Sequence, residues 1–226
     1  MHSMVSNEHP VVLIGAGGHA AVCLELLMRQ KASLLGYVSS DPSEDMHPHL
    51  AYLGNDEKLA QYKPDEIRLV MGIGFVVGSD LRERLYRHYR KMGFRFKTMI
   101  HESAVIALNA KLEEGAQVMA GAVIQARAVI GENALVNTRA SVDHDSIVES
   151  HAAIMPGVTI CGGVRIGEGS FIGAGATIIQ QVVIGNRTVL GAGALALKSL
   201  PVGSYAYGVP AKEGKEEKDE KDENDI

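Results

Sequence analysis

From Ile106 to Leu190 every sixth residue is aliphatic: Ile106, Leu112, Val118, Ile124, Ile130, Val136, Val142, Val148, Ile154, Ile160, Ile166, Ile172, Ile178, Ile184 and Leu190. Four residues after each stands a small or short side chain, from Ala110, Ala116, Ala122 and Ala128 through Ser146 and Val158 to Thr188 and Ala194. A period of six matches neither the 3.6 of a helix nor simple alternation. It fits short strands joined by tight corners, with the aliphatic column filling a narrow core and the small column, also facing inward, permitting the bend. Gly131, Gly167, Gly173, Gly185 and Gly191 are expected to supply backbone freedom at those corners. At three hexads per coil the pattern predicts about five coils of a parallel β-helix.

Residues 10–100 have a different rhythm. PVVLI (10–14) reads as a buried strand, GAGGH (15–19) as a turn, and Ala20, Cys23, Leu24 and Leu27 recur at helical spacing through about Arg29. LLGYV (34–38), IRLVMGI (67–73) and FKTMI (96–100) read as three further strands. Asp80 and Glu83 have the spacing of a capping box before a helix whose apolar face runs Leu81, Leu85, Tyr89, Met92. The expectation is a small Rossmann-like parallel sheet flanked by helices. The chain divides into an extended start (1–9), an α/β domain (10–101), the β-helix (102–200) and a C-terminal segment with an acidic tail (201–226).

Composition removes several function classes. The net charge is −5, and residues 212–226, with four lysines against eight acids, account for −4 of it. A body near neutrality with no Trp and four Phe has neither the basic stripe nor the stacking platforms of a nucleic-acid binder. The tail reads as a solvated end. Cys23 and Cys161 form no C-x-x-C pair, so free thiols in a reducing compartment are expected. No apolar run approaches the roughly 18 residues of a membrane span, and MHSMVSNEHP lacks the order of a signal peptide, so a cytoplasmic address is expected.

Against a bland repeat, the hexad SVDHDS (141–146) places His144 between Asp143 and Asp145. His144 follows the inward Val142 by two, at a corner, where its side chain should leave the core. A carboxylate bonded to one imidazole nitrogen fixes the tautomer and raises the basicity of the other. An imidazole, with an ordinary pKa near 6.5, suits removal of a proton from an amine at neutral pH. His144 with Asp145 is the candidate general base. Near the start, Gly15-x-Gly17-x-x-Ala20 also satisfies the dinucleotide fingerprint, with Asp41 placed to meet a ribose.

GAGGHA near the start, MIHESA at the junction, the HD pair and YGVPAK before the tail together resemble the bacterial nucleotide-sugar N-acetyltransferases that act on 4-amino-4,6-dideoxy sugars, with sialic-acid O-acetyltransferases close by. The resemblance spans about residues 10–212. It implies a left-handed β-helix of hexapeptide repeats after the α/β domain, a homotrimer, and acetyl-CoA as co-substrate with no metal. By resemblance His144 is the catalytic base, Asp145 supports it, Asn137 lies nearby, and the Gly162 backbone N–H donates to the acetyl oxyanion.

The same resemblance runs acetyl-CoA along a groove between adjacent β-helices, past Gly173, Ala174, Gly191 and Ala192. Relatives carry a histidine near the thioester where this chain has Ala153, and His151 is the alternative at that place. In the N-terminal domain Gly15, Gly17, Gly18 and His19 are expected around the diphosphate of a sugar nucleotide. Ser39, Ser40 and Asp41 stand where relatives often show paired acids near the nucleoside. Gly72 and Gly74 would line the same crevice, and Arg82 either reaches phosphate or sits on the helix surface. The competing readings are an O-acetyltransferase using the same base on a hydroxyl, and a non-catalytic trimeric binding module with metal held by His101, His144 and His151.

Overall fold

The computed structural model describes residues 9–43, 46 and 50–214. The expectations for residues 1–8 and for the acidic tail from 215 onward lie outside the described residues.

Four consecutive apolar residues make β1 (Val11–Ile14), buried throughout, as a central parallel strand requires. It pairs in parallel with β2 (Leu34–Val38) and β3 (Arg68–Met71), giving the order β2-β1-β3. α1 (Gly18–Arg29) packs Ala20, Cys23, Leu24, Leu26 and Leu27 on one face of this sheet, following the helical spacing in the sequence. Beyond the single turn of α2 (Asp56–Leu59), α3 (Leu81–Lys91) lays Tyr86 and Tyr89 on the other face, with Phe94 and Phe96.

The face of α3 is rotated from the one expected. Leu81 is exposed, while Arg82, Tyr86 and Tyr89 are buried. The expected capping box does not form: Asp80 stands at the N-cap without a side-chain cap bond. Glu83 instead accepts from Arg87 at 2.9 Å and from Arg187 of the β-helix at 3.1 Å. Two guanidiniums out-compete a backbone N–H for the same carboxylate.

From Met99 a two-residue strand is laid down every six residues, from β4 (Met99–Ile100) to β20 (Leu195–Ala196). Each pairs in parallel with the strand 18 residues away, so Leu135 lies between Gln117 and Ala153. Three strands make a coil, and the strands stack into three sheets forming a triangular prism. FKTMI is therefore not a fourth strand of the α/β sheet. Phe96 alone bridges to Leu69, and Met99–Ile100 pairs with Gln117–Val118 as the first rung of the prism. Met99 packs with Met119 and Leu135 in the same cluster as α1, which seats the α/β domain on one prism face.

Both hexad columns face inward. The aliphatics from Val118 to Leu190 and the small residues between them form one continuous core, with Ile106 and Leu112 only partly buried at the open first coil. The corners work differently from the expectation. The left-handed residue falls three places after each aliphatic, at every sixth position from Gly115 to Gly193, and seven of these fourteen are not glycine: Arg127, Asn133, Arg139, Asp145, His151, Gln181 and Arg187. Gly131, Gly167, Gly173 and Gly185 have no such angle, and the reason for glycine there is steric. A Cβ at Gly131 would stand 2.6 Å from the backbone N of Ser150 one coil on, and at Gly173 2.5 Å from that of Ala192. Gly191 meets the same limit 2.4 Å from the Tyr207 ring. That ring belongs to β21 (Tyr205–Tyr207), which pairs in parallel with β19 (Val189–Leu190) and antiparallel with β22 (Lys212–Gly214) to close the upper end of the prism. Among the described residues no helix is long and apolar enough to cross a membrane.

Candidate active site

His144 belongs to the coil of β10 (Leu135–Val136), β11 (Ser141–Val142) and β12 (Ile147–Val148), at the edge where the chain turns from β11 to β12. Ser146 points inward and anchors the corner to the next coil, donating to the Cys161 carbonyl at 2.9 Å and accepting from the Val164 N–H at 3.1 Å. Asp143 accepts the His144 backbone N–H at 2.7 Å, so it braces the turn rather than the ring. Asp145, in the left-handed conformation at φ +60, turns its carboxylate toward the imidazole.

His144 Nδ1 lies 2.7 Å from Asp145 Oδ2. The same carboxylate accepts from Arg127 Nε at 2.6 Å and Nη2 at 2.8 Å. Arg127 first, then His144, holds the Asp145 carboxyl well below the usual carboxylate range. A carboxylate that stays ionised can only accept, so Nδ1 carries the proton and Nε2 presents its lone pair. The Cε1–Nε2 side of the ring lies against Gly162, one coil on: a Cβ at Gly162 would stand 2.7 Å from Nε2 and from Cε1. Only glycine at 162 leaves the ring this position.

The Gly162 carbonyl accepts from the Gln181 N–H at 3.0 Å, while its own N–H has no protein partner among the described residues. Among the described residues the corner N–H groups at Thr138, His144 and Glu168 are taken up by the side chains of Asn137, Asp143 and Glu149, while those of Ala126 and Gln180 on the His144 edge are open like that of Gly162. Cys161 carries no acceptor to do the same. Base and open donor share a groove of about 550 Å³ lined by His144, Asp145, Cys161, Gly162, Gln180 and Gln181.

Asn137 is not beside His144. It lies at the preceding edge, between β10 and β11, where its Oδ1 accepts the Thr138 N–H at 2.7 Å. One hexad further along the chain is one prism face further around, so residues seven apart occupy adjacent edges. Gly173, Ala174, Gly191 and Ala192 stack above Asn137 on that same edge, following β16 (Phe171–Ile172) and β19. The expected set thus separates into His144, Asp145 and Gly162 on one edge and the other five on the preceding one.

Ala153 offers no surface to a ligand. It is fully buried between Leu135 and Phe171 on the face that the α/β domain covers. His151 does not stand in for a thioester-side histidine either. It is 5% exposed, its Nδ1 is 3.0 Å from Asn133 Nδ2, and its ring meets Tyr86 edge-on. Burial lowers it to about 4. Its ring, Glu83 and Glu168 put potential ligand atoms within 4.8 Å of one another, but Arg87 and Arg187 already engage the two carboxylates. His101, His144 and His151 follow β4, β11 and β12 on three different edges, so one chain does not gather them.

In the α/β domain the loops after β1, β2 and β3 converge at one sheet edge. Gly15, at φ +93, turns the chain where a Cβ would strike Ile73. Gly17 and Gly18 are open on their Cβ side and expose the N-terminus of α1, which has no side-chain cap. Ser39, Ser40 and Asp41 follow β2 at the same edge, with Ser39 Oγ donating to the Asp41 carbonyl. Gly72 serves packing, since a Cβ would stand 2.6 Å from the Ile14 carbonyl and 2.9 Å from Ala20 Cβ. Gly74 lies against His19.

The His19 side chain points away from the crevice, with Nε2 2.8 Å from Gln117 Oε1 of the β-helix. Burial, then Arg82, lowers it to about 4. Arg82 is neither a phosphate ligand nor a surface residue. It is 3% exposed and donates to the carbonyls of Ile73 at 2.6 Å and Met71 at 3.3 Å, to Gln117 Oε1 at 3.0 Å and to the Asn133 carbonyl at 3.4 Å. His19, Arg82 and Gln117 form the polar joint between the two domains.

The residue missed in the sequence is Arg127. Its signal was arithmetic: it stands 18 residues, one coil, before Asp145.

Residues 10–89 match the PglD N-terminal domain, and residues 145–180 and 163–195 match the bacterial transferase hexapeptide (six repeats) model. Among solved structures, a histidine-to-alanine mutant of GDP-perosamine N-acetyl transferase from Caulobacter crescentus, in complex with CoA and GDP-perosamine, is 37% identical. The match covers 91% of this chain and 97% of that one with a TM-score of 0.84. The acetyltransferase domain of PglB from Neisseria gonorrhoeae FA1090, in complex with acetyl coenzyme A, is 31% identical over 92% of this chain and 100% of its own, TM-score 0.84. WeeI from Acinetobacter baumannii AYE, at 21% identity over 91% of this chain and 100% of its own and TM-score 0.81, shares the fold. No curated protein matches the sequence. An α/β domain of the PglD type on a left-handed hexapeptide-repeat β-helix, with more than a third of residues identical over nine-tenths of its length, shows that the chain belongs to the nucleotide-sugar N-acetyltransferases of the hexapeptide-repeat superfamily.

Proposed function

We propose that this protein transfers the acetyl group of acetyl-CoA to the 4-amino group of a UDP- or GDP-linked amino-deoxy sugar. The observation that carries the reading is the pairing of His144 Nδ1 with Asp145 while the Cε1–Nε2 side of the ring lies against Gly162, whose N–H is open among the described residues. In the groove, Nε2 takes a proton from the sugar amine as its nitrogen attacks the thioester carbonyl. The Gly162 N–H meets the oxygen as charge develops there, a contribution of about 3 kcal/mol for a preorganised donor. The C–S bond then breaks, and the proton held on Nε2 passes to the CoA sulfur, leaving an amide and a thiol. Related structures with CoA and GDP-perosamine, and with acetyl coenzyme A, support both substrates.

The crevice at the ends of β1, β2 and β3 holds the diphosphate, at the backbone of Gly15, Gly17, Gly18 and His19 on the α1 N-terminus, with Ser39, Ser40 and Asp41 near the nucleoside. The split of the site between two prism edges supports a homotrimer in which one subunit's His144 edge meets its neighbour's Asn137 edge. Acetyl-CoA runs between them along Gly173, Ala174, Gly191 and Ala192. A cytoplasmic setting and a place in glycan or cell-surface polysaccharide synthesis go with this reading. Thiol release measured across a panel of UDP- and GDP-4-amino sugars and free sialic acid tests it. Turnover of a nucleotide-linked amine is expected, and turnover of sialic acid alone would replace it with the O-acetyltransferase reading.

A further inference from the structure

We propose that Arg127 is a positioning residue for the reaction, aiming the Asp145 carboxylate at His144 and setting how readily the imidazole carries charge. The inference rests on the acetyl-transfer reading only for its kinetic consequences. Its geometric basis is independent: a bidentate guanidinium from the coil below, at 2.6 and 2.8 Å, on the carboxylate that meets Nδ1 at 2.7 Å. The fork fixes the carboxylate plane, because two parallel N–H bonds leave no free rotation, and so fixes the line along which Oδ2 meets the ring.

The second effect is electrostatic. A bare carboxylate beside imidazole stabilises the imidazolium and would trap the base in its spent form as pH falls. The Arg127 charge partly cancels that attraction. The other titratable groups around the ring are few: Asp143 on the same corner, committed to the His144 backbone N–H, and Cys161 on the coil above, with Gln180 and Gln181 neutral. Among the described residues Arg127 is the cation bonded to this corner from the coil below, and its backbone N–H donates to Asn109 Oδ1 at 3.2 Å. Its side chain is 61% exposed, so it contributes to no core.

The experiment compares full-length wild type, Arg127→Gln and Arg127→Lys. For R127Q, kcat is expected to fall about tenfold and the acid limb of kcat/KM to move up by roughly half a pH unit, as removal of one nearby charge implies. For R127K the charge remains and the fork is lost, so kcat falls a few-fold, on the order of threefold, with the limb unmoved. Wild-type kcat and limb in R127Q would overturn the proposal. So would a loss of kcat and Tm with the limb in place, which is what a merely structural residue gives. If R127Q does not fold, R127K decides: wild-type kcat there overturns the positioning role. Should wild type acetylate no nucleotide-linked amine, the function reading fails separately, and NMR titration of the His144 ring in the ligand-free proteins decides this one. A midpoint at higher pH in R127Q upholds it, and an unchanged midpoint overturns it.

Discussion

At Gly162 and Asp145 single residues decide whether the corner can do chemistry. Gly162 has ordinary backbone angles, so Gly162→Ala meets no conformational penalty of its own. Its methyl, however, would enter the place of the His144 ring at 2.7 Å. We expect a G162A protein with near-wild-type Tm whose kcat/KM falls about a hundredfold, since both the base and the oxyanion donor are displaced. Kinetics alongside a thermal melt check this, and unchanged turnover would remove Gly162 from the site. The His144 and Asp145 pair was legible in the sequence because an HD step breaks an otherwise apolar pattern. Arg127 was not, because a charged residue at a corner looks like any solvated surface position until residues are counted in coils rather than hexads. Arg82 was misread for a related reason: polarity suggested exposure, whereas the carbonyls of Met71, Ile73 and Asn133 supply partners for a buried guanidinium.

At the scale of elements, α3 shows how a tertiary contact overrides a local pattern. Apolar spacing chose the Leu81 face, and the fold buries the Arg82 face because that arginine ties the helix to Gln117 and Asn133 of the β-helix. Arg82→Ala would strand those acceptors in the interior, and we expect it to cost about 2–4 kcal/mol of stability. Arg87→Ala, half exposed, should cost under about 1 kcal/mol. Denaturant titration of the two variants side by side tests the contrast. The hexad strands, by comparison, were readable almost position by position, since a two-residue strand stacked on identical neighbours leaves no tertiary contact to contradict it. What the repeat concealed was the job of its glycines: steric clearance one place after the aliphatic, and a left-handed turn two places later that Asp145 and Arg127 also tolerate.

For the whole molecule, the junction between the two domains holds two histidines that are stable there only uncharged. His19 and His151 both lie at the junction and both are lowered to about 4 by burial. An unfolded histidine takes up its proton near pH 6.5, so stability from these two is complete above that value and is lost as pH falls toward about 4. Tm should therefore decline across this window, and His19→Gln should flatten the decline. A slope unchanged by the variant would contradict the assignment. The proposed trimer carries its own test, because Asn137 and His144 occupy different edges. Mixed trimers of Asn137→Ala and His144→Ala chains should recover activity absent from either alone, with about a quarter of sites complete if subunits mix at random. No recovery would mean that the site is not shared.

In the proposed reaction His144 removes the proton from a sugar amine as the thioester is attacked. Thiol release with acetyl-CoA and a nucleotide-linked 4-amino sugar, by wild type and by His144→Ala of matched Tm, measures it most directly. In H144A a loss of about a hundredfold or more in kcat is expected. A folded H144A protein turning over at the wild-type rate would contradict it.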